Sequence, residues 1–139
     1  MRFMMIVKAS EASERGDLPS AEMLAEMGKY NEELAKAGIL LDADGLKPTS
    51  QGVRIQYSGN KRTVVDGPFA ESKELIAGFW LIQAKSLDEA VEWAKKAPNP
   101  HGKDGVTNIE IRPLVELEDF APSESIDRER ELQKQLRNK

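Results

Sequence analysis

The chain has 139 residues and a formal net charge of −4 at pH 7, and 40% of its residues are hydrophobic. These values fit one globular domain with a moderate core. The acidic balance leaves no excess of positive charge to neutralise the phosphates of a nucleic acid, so nucleic acid binding is not expected. The sequence contains no cysteine, which excludes disulfides, thiol catalysis and thiolate metal sites.

The chain begins with a short apolar run at residues 3–7, which Lys8 interrupts. The run is too short for the core of a signal peptide or for a membrane span. We therefore expect a cytoplasmic protein without a membrane partner. An apolar run bounded by charge is typical of a strand buried on both faces.

A helix is predicted to follow Ser20, which can cap its first turn, and to end at Gly38, which can adopt a left-handed conformation. Apolar residues recur between them at helical spacing: Met23, Met27, Tyr30 and Leu34. Three strands are then predicted at residues 39–46, 53–57 and 62–66. Residues 58–61 between the last two contain Gly-Asn and predict a hairpin turn.

The second half of the chain predicts a strand, a helix and a last strand. Residues 75–84 are apolar at nearly every position. Ser86 and Glu89 have the spacing of a capping box, and Pro98 lies beyond the end of the helix that they begin. Residues 106–117 alternate as a strand does, and Pro113 places that strand at an edge or at a bulge.

This order predicts an α+β fold with a ferredoxin-like βαββαβ core, in which residues 53–66 form an inserted β-hairpin and two helices cover one face of an antiparallel sheet. A sheet covered on one face should alternate, yet residues 75–84 are apolar at nearly every position. A second copy of the chain is the simplest cover, so we expect a homodimer through the sheet face. The alternative is that the tail folds back over the sheet.

The sequence divides into a domain at residues 1–118 and a charged tail at residues 119–139. The tail carries few sizeable apolar residues, and an isolated helix of its length is marginal in water. We expect it to be partly helical or flexible, or to dock on a partner.

The turn that begins at Asp66 is the candidate site. Its carboxylate would act as a general acid or base if partly buried, or would only accept from backbone amides to hold the turn. Neighbouring side chains are candidates for binding a ligand: Arg54, Phe69, Glu71, Lys73 and Trp80. The alternatives are that Glu71 and Lys73 form a solvated surface pair and that Trp80 packs in the core.

His101 is the single histidine, and an imidazole that titrates near neutral pH is a candidate for catalysis. It lies in a turn-rich loop, where a histidine is most often exposed without a role. One histidine and no cysteine make a transition-metal site improbable. The sequence has no nucleotide-binding or phosphate-loop fingerprint, and no cofactor is expected.

A set of residues spread along the chain carries a family resemblance: residues 66–69 (DGPF), Glu71, Lys73, residues 78–80, Glu89-Ala90 and residues 112–114 (RPL). Over about residues 1–118 the chain resembles the DGPF branch of the YCII-related family. The resemblance implies a dimeric α/β barrel whose members mostly lack an assigned reaction. The histidine and aspartate used by better-known relatives lie in motifs that this sequence does not reproduce.

Three functions follow as hypotheses. The first is binding of a small acidic or aromatic metabolite near the DGPF turn, with a cofactor-free acid/base reaction of the lyase or isomerase type as its catalytic form. The second is a non-catalytic dimer that senses a ligand or assists transcription regulation, as the resemblance suggests. The third is a protein-interaction module that uses the tail. Fold analogy does not choose among them.

Overall fold

The structure of the protein, a computed structural model, describes residues 1–71 and 74–138. Within them the chain forms six strands, four α-helices and two short 3₁₀ turns. In chain order these are β1 (Arg2–Lys8), α1 (Glu11–Arg15), α2 (Ala21–Lys36), β2 (Leu40–Gly45), a 3₁₀ turn (Thr49–Gln51), β3 (Val53–Ser58), β4 (Lys61–Asp66), β5 (Ile76–Gln83), α3 (Leu87–Lys95), β6 (Ile109–Pro113), a second 3₁₀ turn (Leu117–Asp119) and α4 (Glu124–Arg137).

Four strands form an antiparallel sheet in the order β2-β5-β1-β6, and β3 and β4 form a separate two-stranded hairpin. The order and directions are those of a ferredoxin-like βαββαβ core with a hairpin inserted between its second and third strands. The predicted α+β fold is therefore confirmed. Within the described residues the sheet is open, and it does not close into a barrel.

The core lies between one face of the sheet and helices α2 and α3. Phe3, Met5 and Ile82 from the sheet and Leu34 from α2 are fully buried. The Trp80 indole donates to Asn31 Oδ1 at 2.7 Å, and its ring meets Tyr30 edge to face with centroids 5.5 Å apart. The two large aromatic rings thus join the sheet to α2 with the indole N–H satisfied.

Tyr30 also joins the two helices to each other. Its hydroxyl donates to the Trp93 carbonyl of α3 at 2.7 Å. Burial raises the pKa of Tyr30 to about 12, because the charged phenolate would lose its hydration in this position. The ring therefore stays neutral and remains a hydrogen-bond donor throughout the physiological pH range.

The first long helix begins and ends as the sequence predicts. Ser20 Oγ accepts the Met23 N–H at 3.1 Å, and Gly38 adopts a φ of 73° just past the end of α2. At α3, Ser86 Oγ accepts the Glu89 N–H at 3.2 Å, but the Glu89 carboxylate accepts from the Lys85 N–H instead of the Ser86 N–H. The predicted capping box is thus only half formed.

Two parts of the chain differ from the sequence reading. The last strand is shorter than residues 106–117, because Val106 is 95% exposed and the ladder with β1 spans only Ile109–Pro113. The sequence reading also missed α1. Its first turn is closed by Ser10 and Ser13, each of whose hydroxyls accepts the other's backbone N–H.

The second face of the sheet carries apolar side chains that are only partly covered. Phe79 and Leu81 alternate with the buried Trp80 along β5, and Met4 lies opposite Leu81 on β1. Helix α4 contacts the 3₁₀ turn Leu117–Asp119. The expected cover by a second copy stays a prediction.

An ion pair fastens the start of β1 to the segment after β6. Arg2 donates to both carboxylate oxygens of Glu116, at 2.8 and 3.0 Å. This hydrogen bonding holds the pKa of Glu116 below its usual range, with the charge of Arg2 adding to the effect. The pair is partly exposed, so its contribution to stability is about 1 kcal/mol or less.

We expect Glu116→Gln to reduce the acid sensitivity of the fold. A carboxyl whose folded pKa is depressed stabilises the protein above its unfolded pKa, and that contribution is lost as the pH falls through the folded value. The free energies of unfolding of wild type and variant should therefore differ by up to about 1 kcal/mol at pH 7, and the difference should shrink as the pH falls below about 4.3, the ordinary pKa of a glutamate. Denaturant unfolding across this range is the measurement, with the exposed Glu129→Gln as control. A difference that persists unchanged at pH 3 would contradict this account.

Candidate functional site

The DGPF turn is the segment Asp66–Phe69, which leaves the end of β4. The Asp66 side chain is exposed, and its residue lies opposite Val53 in the hairpin ladder. The Gly67 N–H donates to the Gly52 carbonyl at 3.0 Å. A Cβ at Gly67 would overlap the Thr49 carbonyl, so the close approach of these two backbone segments requires glycine.

A second set of contacts, the Thr49 latch, holds this turn to α1. It consists of the Glu14 carboxylate, Thr49 and the Phe69 backbone. Glu14 accepts the Thr49 N–H at 3.1 Å and the Thr49 hydroxyl at 2.5 Å, and the Thr49 oxygen in turn accepts the Phe69 N–H at 3.1 Å. The Thr49 hydroxyl therefore donates to Glu14 and accepts from Phe69 at the same time. Through it, the Phe69 backbone is tied to a helix residue, Glu14, that lies 55 positions earlier in the sequence.

Three of the predicted ligand-binding residues meet at the base of the hairpin, and we call them the Arg54 cluster: Arg54, Phe69 and Glu71. The Arg54 guanidinium carbon lies 3.8 Å from the centroid of the Phe69 ring. Arg54 Nη1 donates to Glu71 Oε2 at 3.3 Å, and both side chains are about half exposed. The guanidinium is thus held flat on an aromatic face and oriented from one side by a carboxylate.

The Arg54 cluster can bind an anion, because the contact with Glu71 uses one nitrogen of a guanidinium that carries five N–H donors. A carboxylate matches this planar fork in a bidentate geometry. The Phe69 ring beside it offers an apolar surface for the rest of an organic acid. Solvent screening at an exposed pair keeps the stabilisation from Arg54–Glu71 itself to about 1 kcal/mol or less.

The other predicted site residues lie in different settings. Trp80 is 5% exposed and packs in the core, where the alternative reading placed it, and a contact between Trp80 and a ligand stays a prediction. Lys73 lies outside the described residues. Asp66 is exposed at the start of the turn, whereas a carboxylate that acts as a general acid or base is usually partly buried. Its catalytic role also stays a prediction.

His101 is half-buried and organises its own loop. Its Nε2 donates to the Lys8 carbonyl at 3.1 Å, so this nitrogen carries the proton. The His101 N–H is accepted by Asn99 Oδ1, and Asn99 Nδ2 donates to the Gly105 carbonyl. The described contacts of this histidine therefore fasten the loop at residues 98–105 to the end of β1, which is more than the idle exposed position that the sequence suggested.

Two clefts lie away from the DGPF turn. One of about 330 Å³ lies between α3 and β6, and one of about 590 Å³ lies between the start of α2 and the loop at residues 99–103. Neither is lined by a member of the Arg54 cluster. Within the described residues no three acidic or histidine side chains come together as a possible metal site.

The comparison with known families covers the part of the chain that contains both the sheet and the turn. The model of the YCII-related domain matches residues 1–116, which include the whole sheet, the hairpin and the DGPF turn. The chain belongs to the YCII-related family. An uncharacterised protein of Rhizobium meliloti (strain 1021) is 35% identical to this YCII-related protein over 93 residues, which are 67% of this chain and 73% of that protein.

One element of this YCII-related protein lies outside that comparison. Helix α4 follows the matched residues, so the family match does not extend to it. In the described part of the chain, none of the helices has the length and apolar content needed to cross a bilayer.

Proposed function

We propose that this protein belongs to the DGPF branch of its family and binds a small carboxylic acid, aliphatic or aromatic, at the Arg54 cluster. The observation that carries the proposal is the Arg54 guanidinium, stacked at 3.8 Å on Phe69 and aligned by Glu71. The guanidinium would take the ligand carboxylate, and the free part of the Phe69 ring would contact its apolar body.

The contacts of the turn support this proposal. The Thr49 latch and the close packing at Gly67 tie the Phe69 backbone to the rest of the fold. A ligand that meets a preorganised aromatic ring loses less of its binding free energy to ordering the protein. This is the physical use of the DGPF segment that the geometry favours.

Binding without turnover is the form of the function that we propose. Asp66 is exposed, and an exposed carboxylate has few means of holding a reacting atom. The protein would then act as a ligand-sensing module. A lyase or isomerase reaction through Asp66 would require a wall that excludes water from that carboxylate.

A homodimer through the sheet face belongs to the same proposal. Phe79 and Leu81 on β5 and Met4 on β1 form a partly exposed apolar surface opposite the helices. Packing two such surfaces together would remove them from water, which is the usual origin of an isologous interface. A sedimentation mass of 15.5 kDa, that of one chain, would contradict it.

We expect a small organic acid to stabilise the wild type and Arg62→Gln but not Arg54→Gln. Arg62 is the matched control because it lies on the same hairpin and stacks on Tyr57 at 4.4 Å. A ligand present at about a hundredfold its Kd adds about 2.7 kcal/mol, or several degrees in Tm. The Arg54 change should weaken binding at least tenfold.

The measurement is thermal unfolding across a panel of aliphatic acids, aromatic acids and phenols, followed by calorimetric titration of each hit. Loss of the response in both arginine variants would show that the hairpin cations act only through general charge. A panel in which no acid shifts the wild type would remove the proposed ligand class.

A further inference from the structure

The sheet has one edge whose backbone groups are open. The Leu114 N–H donates to the Arg2 carbonyl at 3.0 Å, which fixes the phase of the β1–β6 ladder. Since bonded and non-bonded pairs alternate in an antiparallel ladder, Ile109 and Ile111 turn their N–H and C=O groups away from β1. Among the contacts of residues 1–71 and 74–138, no hydrogen bond reaches these outward groups.

At the opposite edge of the sheet, β2, a side chain satisfies one of the backbone N–H groups. On β2 the Ala43 N–H is accepted by the carboxylate of the preceding residue, Asp42, at 2.9 Å. An edge group that a side chain has already satisfied does not pair with another strand. On β6 only Pro113 acts in this sense, since it lacks an N–H, and it lies at the end of the strand. The free edge is therefore Ile109–Ile111.

This edge borders the cleft between α3 and β6. The cleft is lined by Val91 and Ala94 from α3 and by Ile109 and Ile111 from β6, together with polar residues of which Lys95 and Asn108 are two. Residues opposite each other in a ladder share one face of the sheet. Residues of an added strand that paired with Ile109 and Ile111 would therefore place their side chains over this cleft.

The inserted hairpin carries the complementary surface. One face of it carries four apolar residues beside the charged Asp66 and Arg62, and these four are exposed by between 47 and 68%: Val53, Ile55, Tyr57 and Val64. A two-stranded hairpin on its own is at best marginally stable in water, and an exposed apolar surface of this kind marks an interaction site. The hairpin residues contact mainly each other.

The hydrogen-bond phase of the hairpin matches that of β6. Gly59 and Asn60 form a two-residue turn, so the flanking pair Ser58–Lys61 is hydrogen-bonded. Because bonded and non-bonded pairs alternate, the backbone N–H and C=O groups of Val53, Ile55 and Tyr57 point away from β4. On both β3 and β6, the residues with free backbone groups are the apolar ones.

We propose that β3 of one copy adds antiparallel to the free edge of β6 of a second copy, with Ile55 opposite Ile109 and Val53 opposite Ile111. This register places the apolar face of the hairpin over the cleft between α3 and β6. On the other face it places Arg54 opposite Glu110, whereas a slip by two residues would place Arg54 opposite Arg112. Opposite charges directly across a ladder stabilise it and like charges destabilise it, so charge favours the first register, in which Arg54 would share Glu110 with Lys8 of the same copy as Glu110.

The contact does not require the proposed ligand, although Arg54 takes part in both proposals, and it differs from the sheet-face contact because it uses strand edges. It goes beyond the proposed function by assigning a partner to the hairpin, namely a second copy of this chain. The contact would also bring the Arg54 cluster of one copy beside β6 of the other.

The absence of cysteine from the sequence permits a direct test. Ile55→Cys and Ile109→Cys are prepared separately, mixed in equal amounts without ligand and mildly oxidised. We expect a disulfide-linked dimer that contains one copy of each variant, identified by the mass of the linked peptides. Because each chain has one thiol, such a bond can form only between copies.

Two matched pairs complete the test. Val64→Cys lies directly opposite Ile55 on the same hairpin face, but on β4, and it should link to Ile109→Cys at least tenfold less. Ile55→Cys with Ile111→Cys reports the slipped register and should also link less. Thermal unfolding verifies that each variant is folded.

Equal linkage in the Val64 pair, or linkage of the Ile111 pair in place of the Ile109 pair, would overturn the proposed pairing. Linkage of neither pair would overturn it as well. Wild type that sediments as a single chain at the concentration used for cross-linking would overturn both this contact and the sheet-face contact. Failure of the proposed function is read from a separate result, namely that no organic acid stabilises the wild type more than Arg54→Gln.

Discussion

We expect Gly67→Ala to lower the free energy of unfolding by about 3 kcal/mol or more. The new methyl group would overlap the Thr49 carbonyl oxygen and crowd the Gly52 carbonyl, and both obstacles are backbone atoms that cannot rotate away. Overpacking costs about 1–3 kcal/mol where side chains can move, and more where they cannot. The 3₁₀ turn and the DGPF turn must therefore separate, which would break the bond from the Phe69 N–H to Thr49.

Gly28→Ala is the matched control. Gly28 lies inside α2, and apart from the adjacent residues and the backbone of its own helix no atom lies within 4 Å of the position that its Cβ would take. Alanine is favoured over glycine inside a helix by about 0.5–1 kcal/mol, so this variant should be more stable than wild type. Denaturant unfolding gives both values, and amide exchange at Phe69 reports the latch. Gly67→Ala with wild-type stability and a protected Phe69 amide would show that the two segments are not packed as described.

Phe3→Ala should lower the free energy of unfolding by about 3–5 kcal/mol, the usual range for removing a fully buried phenylalanine. Phe3 has no exposed surface, lies opposite Ile82 on β5 and belongs to the core between sheet and helices. The rigid neighbours from two strands and two helices leave little means of closing the cavity. A loss of this size in a domain with a stability of about 5–15 kcal/mol should depress Tm by 10 °C or more.

Phe120→Ala provides the same chemical change at a surface position. Phe120 is 52% exposed and follows the 3₁₀ turn that precedes the tail. We expect a loss below about 1 kcal/mol, since much of that ring is already in water. Comparable losses in the two variants would mean that Phe120 is covered in solution, as docking of the tail on a partner would require.

Most of the fold follows from local signals in the sequence. Ser20 and Gly38 bound α2 because a serine hydroxyl accepts a helix N–H and glycine accepts a positive φ, and both effects act within a few residues. The Gly59-Asn60 turn fixed the hairpin in the same way. Helix α1 was missed because its cap relies on two serines in a segment with little apolar pattern, and β6 was overestimated because alternation continues past the residues that find a partner strand.

The candidate site was predictable only in part. Arg54, Phe69 and Glu71 were each named from the sequence, yet their stacking depends on the hairpin returning beside the DGPF turn. The Thr49 latch had no sequence signal, because it joins three segments that lie tens of residues apart. The sequence left Trp80 with two interpretations, a ligand-binding residue or a core residue. Alternation along a strand tells which residues share a face but not which face meets the helices.

The inserted hairpin starts and finishes at one point of the fold. The amide of Gly67, just after β4, meets the carbonyl of Gly52, just before β3. This hydrogen bond closes the base of the hairpin formed by β3 and β4. Residues can therefore be added to or removed from the two strands in matched pairs without shifting the four-stranded sheet. The length of the hairpin and the residues at its turn can therefore change while the four-stranded sheet and its helices stay the same.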